Sequence, residues 1–206
     1  AGLLSFEFGF SGEKIITNSG YFQDYKHQLN IISKSSATHS TLVINNTSSV
    51  SFERNKYGHM LVSKSFKILN KEVKSEKKLW YIRASHDAYT KSNGVIHERE
   101  LKYFNDDFVL KGCDKLVKTK NFKPSTFEIR FHLLPEINLT KLLNNESILI
   151  ENRNSGWKFT CKNHKIDIET GLYFGMKNKY LENKNILITG LTNDNEQNIF
   201  WEISKI

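Results

Sequence analysis

The chain has 206 residues, 38% of them hydrophobic and 12% aromatic, enough for one well-buried core and too little for two large ones. A single domain over residues 1–206 is therefore expected. No apolar run approaches the roughly 18 residues of a membrane span, and the first residues form no basic region followed by an apolar stretch, so neither a membrane segment nor a signal peptide is read. The formal charge of +8 favours acidic partners. Lys, Asn and Ile are abundant throughout, and the lysines are scattered through loops without a nucleic-acid motif. A general compositional bias therefore explains the charge better than a binding surface, and among polyanions an acidic polysaccharide fits better than a nucleic acid.

In chain order, period-two alternation of apolar residues dominates, and helical spacing is not sustained beyond two turns. Leu3 to Phe10 and Lys14 to Thr17 read as a hairpin around Ser11-Gly12, and its opening alternation, with no initiator Met, reads as the interior of a longer protein. A long loop, Asn18 to Lys34, follows. Thr41 to Ile44 is a strand running into the turn pair Asn45-Asn46, and Ser49 to Val73 reads as a second long loop. Further strands are expected at Leu79 to Ser85, Val95 to Phe104, Phe108 to Gly112, Thr126 to Leu133, Ser147 to Glu151, Trp157 to Cys161, Lys165 to Glu169, Ile186 to Leu191 and Ile199 to Ile203. Many short strands with polar turns imply an all-β fold, a large antiparallel two-sheet β-sandwich. Cys113 and Cys161 form no CxxC pair and read as two free, partly buried thiols.

Long loops in a sandwich are where function concentrates. His39 lies in Ser35-Ser36-Ala37-Thr38-His39-Ser40-Thr41, whose small side chains admit close approach. Its imidazole suits a metal ligand, a proton shuttle or a structural hydrogen bond. Asn18 ends an apolar strand where the first loop begins, and its amide can donate to a carboxylate or cap the turn. His86, Asp87 and Tyr89 put an imidazole, a carboxylate and a phenol within four residues, a set for acid–base work unless Asp87 bonds its own backbone. His97 and Arg99 on one strand, and Arg130 and His132 on another, alternate in a way that allows a cross-strand polar network. Trp157 reads as a core aromatic, or as a sugar-stacking ring if exposed.

Taken together and in this order, the segments Gly2 to Glu7, Asn18-Ser19-Gly20, Ala37 to Thr41, Ser85 to Tyr89, Ile96 to Arg99, Arg130 to Pro135, Gly156 to Phe159 and Glu169 to Gly175 resemble the C-terminal part of the heparinase II/III family. The resemblance implies a polysaccharide lyase acting on acidic, uronate-containing glycans by β-elimination, with an N-terminal α/α toroid of the same protein closing the cleft. It implies His39 as a catalytic-site residue, Asn18 as a cleft-lining residue, and His86, Tyr89 and Arg130 as substrate-binding groups. Some members bind zinc through a histidine just upstream of the position of Ala1, an Asp where this chain has Asn18, and the histidine matched by His39. An amide is a poor zinc ligand, so no metal and no cofactor are expected here.

Overall fold

The computed structural model describes residues 1–56, 60–62, 66–177, 179–193 and 196–206. The hairpin is β1 (Phe8–Phe10) and β2 (Glu13–Ile16). The first long loop carries α1 (Gln28–Ile32) and a 3-10 turn at Ser36–Thr38 before β3 (Leu42–Ile44). There follow β4 (Phe52–Arg54), β5 (Met60–Val62), β6 (Ile68–Ser75), β7 (Leu79–His86), α2 (Thr90–Asn93), β8 (Val95–Phe104) and β9 (Val109–Lys118). The chain closes with β10 (Thr126–His132), β11 (Asn138–Lys141), β12 (Ser147–Glu151), β13 (Gly156–Thr160), β14 (Lys165–Met176), β15 (Lys179–Leu191) and β16 (Gln197–Lys205).

Two antiparallel sheets make the sandwich. One has four strands in the order β14-β15-β10-β3, the other eight in the order β11-β12-β13-β16-β9-β8-β7-β6. Along β10 the inward residues Phe127, Ile129 and Phe131 are buried, while Glu128 and Arg130 stay half-buried on the other parity, as the pleat dictates. Between the sheets, Phe131 meets Phe159 and Trp201 with ring centroids 4.8 Å apart, and Phe6 stacks on Trp201 at 5.5 Å. Burying each such ring contributes on the order of 2 kcal/mol.

The turns follow their residues. Ser11 and Gly12 (φ 49° and 81°) and Asn45 and Asn46 (φ 51° and 53°) take the left-handed conformation that tight hairpins require. Each read strand forms at least in part, and β9, β14 and β15 run well beyond the segments read for them. Two readings need correction. Leu3 to Glu7 is not strand: Ser5 N–H donates to Gly2 O (3.1 Å) and Leu4 turns to φ 56°, which brings this backbone against the first long loop. Residues Ser49 to Val73 are not one loop but contain β4, β5 and most of β6. Edge strand β6 pairs only with β7 and, apart from half-buried Glu72, is exposed throughout, so it shows no apolar alternation to read. Cys113 and Cys161 are free thiols, Cys161 buried. Among the described residues no helix is long and apolar enough to cross a membrane.

Candidate functional site

The loop after β2 leaves the sandwich at Thr17, whose N–H donates to His132 O (2.8 Å) at the end of β10. Its neck is closed by Ser19 N–H donating to Thr38 O (2.9 Å), and Phe174 N–H donates to Ser19 O. Buried Asn30 holds the loop from inside, donating to Phe22 O (2.6 Å) and to the Tyr21 hydroxyl (2.8 Å). The loop ends in the 3-10 turn, and His39 follows it directly.

His39 is half-buried, and its ring lies so close to Gly2 that a Cβ there would sit 2.4 Å from Cδ2. Its Nδ1 is 2.8 Å from Ser35 O. A carbonyl can only accept, so Nδ1 carries the proton and Nε2 the lone pair. Among the described residues nothing hydrogen-bonds Nε2. Burial pushes the imidazole below the ordinary histidine range, against the pull of the Ser35 carbonyl, so the ring is neutral near pH 7. Asn18 stands beside it through Ser40: Oδ1 accepts the Ser40 N–H (2.9 Å), and Nδ2 donates to Glu7 Oε1 (3.4 Å). The Lys14 ammonium, 2.8 Å from Glu7, holds that carboxyl low. Asn18 therefore donates to a carboxylate, and its oxygen ties the start of the loop to Ser40.

His132, on the other side of Ser40, is buried and has a partner at each ring nitrogen. Nε2–H donates to Ala37 O (3.0 Å), so Nδ1 accepts from the Ser19 hydroxyl (3.0 Å). Its backbone N–H donates to Ser40 Oγ (2.9 Å), which donates in turn to Thr17 O (2.6 Å). Burial pushes its pKa down to about 4.

A second buried network reaches the same loop from the large sheet. Asp114 on β9, fully buried, accepts from Arg99 Nε (2.8 Å) and Nη2 (3.0 Å), from His97 Nε2 (2.7 Å) and from Trp201 Nε1 (2.9 Å). Burial alone would raise this carboxyl, but the Arg99 guanidinium and His97 hold it far below the usual range. The remaining Arg99 nitrogen, Nη1, donates to Leu4 O (2.9 Å) and to Ser40 O (2.6 Å). Behind His97 the protons order themselves. Ala88 N–H donates to His86 Nδ1 (3.2 Å), so His86 Nε2–H faces His97 Nδ1 (3.4 Å). Burial, reinforced by the nearby Arg99 guanidinium, pushes His86 down to about 3.

The structure thus brings His39 and Asn18 together at the loop and places the other candidates elsewhere. His86 and Tyr89 are both 1% exposed, and the Tyr89 hydroxyl donates to Leu42 O (3.1 Å). Asp87 turns away from them and accepts the Lys67 N–H (2.6 Å), so the three do not share an open face. Arg130 donates from Nε to Glu169 (2.7 Å), with Nη1 2.7 Å from Glu128. The two Arg–His pairs lie on different sheets and form no common cross-strand ladder; one member of each, Arg99 through Nη1 and His132 through its backbone N–H, bonds Ser40. Trp157 is fully buried. Asp114 escaped the sequence reading, although a carboxylate on the buried parity of Leu110, Gly112 and Leu116 is a legible signal.

The residues present do not fit a zinc ion. Among the described residues no three His, Cys, Asp or Glu side chains are grouped to hold a metal, and the Asn18 oxygen is occupied by the Ser40 N–H. His59 lies outside the described residues.

The sequence matches the family model described as heparinase II/III-like, C-terminal, over residues 1–202. No curated protein sequence matches it. Its fold is similar to a heparan sulfate lyase, HepC, from Pedobacter heparinus, with a TM-score of 0.76 at 15% identity, over 98% of this chain and 30% of that one. It is also similar to a heparinase III, with a TM-score of 0.70 at 14% identity, over 98% of this chain and 29% of the other. At such identities the likeness shows a shared fold, and the chain spans under a third of either protein.

Proposed function

The chain belongs to the heparinase II/III-like family through its C-terminal domain, and from that premise we propose that it is the β-sandwich part of a polysaccharide lyase that cleaves uronate-containing glycans by β-elimination. In that reaction a base takes the proton α to the uronate carboxylate, the electron pair becomes the new carbon–carbon double bond, and the glycosidic oxygen leaves with a proton. The observation that carries the reading is the state of His39. Its tautomer is set by the Ser35 carbonyl, its ring is neutral, and Nε2 is without a partner among the described residues. An imidazole so held can accept a proton or a hydrogen bond from a sugar. Asn18 stands at the start of the same loop, whereas His86 and Tyr89 are buried and Arg130 is paired with Glu169 and Glu128.

One wall of a cleft does not make an elimination site, because base, carboxylate-neutralising group and acid must surround one uronate. We assign the remaining groups to an N-terminal α/α toroid of the same protein. The test measures absorbance of the unsaturated uronate product on a panel of acidic polysaccharides. This chain alone should give none, the complete protein should give product, and His39→Ala in the complete protein should lower turnover by about ten- to a thousandfold. Product from the chain alone would place the chemistry within the sandwich. No product from any sample would favour a glycan-binding or domain-packing module, and full activity in the mutant would return His39 to a structural role.

A further inference from the structure

We propose that Arg99 is the positioning residue for His39, a clamp that ties both backbone segments flanking the imidazole to the large sheet. One flank is the segment Gly2 to Ser5, whose backbone packs on the His39 ring at Gly2. The other is Ser40, the next residue in the chain. A single nitrogen, Arg99 Nη1, donates to a carbonyl of each, Leu4 O and Ser40 O. Leu4 needs such a hold, because a leucine at φ 56° is in a region that bulky side chains occupy only when their surroundings enforce it.

The clamp is itself rigid. Arg99 is 2% exposed, and its Nε and Nη2 are fixed by the bidentate grip on Asp114. Asp114 is held in turn by His97 and Trp201, and the guanidinium lies 5.4 Å from the Phe6 ring centroid. A planar fork that satisfies a carboxylate on one side and two carbonyls on the other cannot be replaced by an ammonium, which carries the same charge at one point. His39 takes its orientation from Ser35 O on one side and Gly2 on the other, so a shift of the Gly2 to Ser5 turn or of Ser40 changes where Nε2 points. A misplacement of about 1 Å at a reacting group costs up to about a hundredfold in rate. The catalytic consequence rests on the lyase reading above; the structural clamp does not.

The test uses Arg99→Lys, which keeps a cation beside Asp114 and loses the fork. In this chain, two-bond nitrogen–proton correlation spectra read the His39 tautomer without any need for activity. The wild-type ring should show the proton on Nδ1, and Arg99→Lys should show both tautomers. In the complete protein the same variant should lose about ten- to a hundredfold in kcat while KM moves by less than about threefold. Ile150→Ala, a core truncation on β12, serves as the comparison: it should lower the melting temperature and leave both the His39 spectrum and kcat unchanged. If Arg99→Lys does not fold, the charge-neutral pair Arg99→Met/Asp114→Asn takes its place. A folded variant with the wild-type His39 tautomer and wild-type kcat would overturn the proposal. A complete protein inactive on every uronate polymer would overturn the lyase reading instead, while the tautomer measurement still decides the clamp.

Discussion

Two buried histidines whose pKa values are strongly lowered make the fold sensitive to mild acid. His86 and His132 are neutral in the folded protein, held at about 3 and about 4, whereas an unfolded histidine titrates near 6.5. Below pH 6.5 the unfolded chain therefore binds protons that the folded chain refuses, so stability rises with pH across that window. The contribution is complete above pH 6.5 and is lost as pH falls toward the folded values. Each group removes up to about 1.4 kcal/mol per pH unit, so the pair removes about 4 kcal/mol between pH 7 and 5. His39 and His97, also lowered by burial, act in the same direction. A domain of ordinary stability, about 5–15 kcal/mol, would lose a large share of it. Urea unfolding of this chain at pH 7, 6 and 5 measures the slope, and the window above pH 5 avoids the carboxylates. His132→Gln should remove roughly half of the pair's contribution. A midpoint that stays constant from pH 7 to 5 would refute the buried neutral state of both imidazoles.

Gly112→Ala should destabilise by about 1–3 kcal/mol or more, because the added Cβ would stand 2.1 Å from the Trp201 ring and that ring is fixed by its hydrogen bond to Asp114; thermal melts of the two proteins decide it. Phe131→Ala should cost about 3–5 kcal/mol by removing the ring that joins Phe6, Phe159 and Trp201, and a loss below about 1 kcal/mol in urea titration would mean that the core collapses around it. Zinc loading followed by dialysis and elemental analysis should find no stoichiometric metal on this chain, since Asn18 stands where a carboxylate ligand would be needed; one retained zinc per chain would show a ligand set built from other groups.

Alternation and turn chemistry were sufficient for the architecture. Phe127, Ile129 and Phe131 announce β10 by parity, and Asn45-Asn46 announces the turn after β3, because both signals are local and survive any tertiary arrangement. β6 and β11 stayed illegible for the opposite reason: an exposed edge strand is held by its neighbour's backbone, which leaves no mark on side-chain pattern. At the site, the sequence singled out Asn18 at the start of the first long loop and His39 in the small-residue segment after it, and could state what their side chains are able to do. Only the tertiary structure decided which nitrogen of His39 carries the proton, since that depends on a carbonyl four residues back in a 3-10 turn. It alone decided that His86 and Tyr89 face the interior although they follow a strand end. Most of all, it decided that Arg99, 59 residues beyond Ser40 in sequence, closes on it. Hydrogen bonds across such separations follow from how two sheets meet, and no periodicity within either strand encodes them.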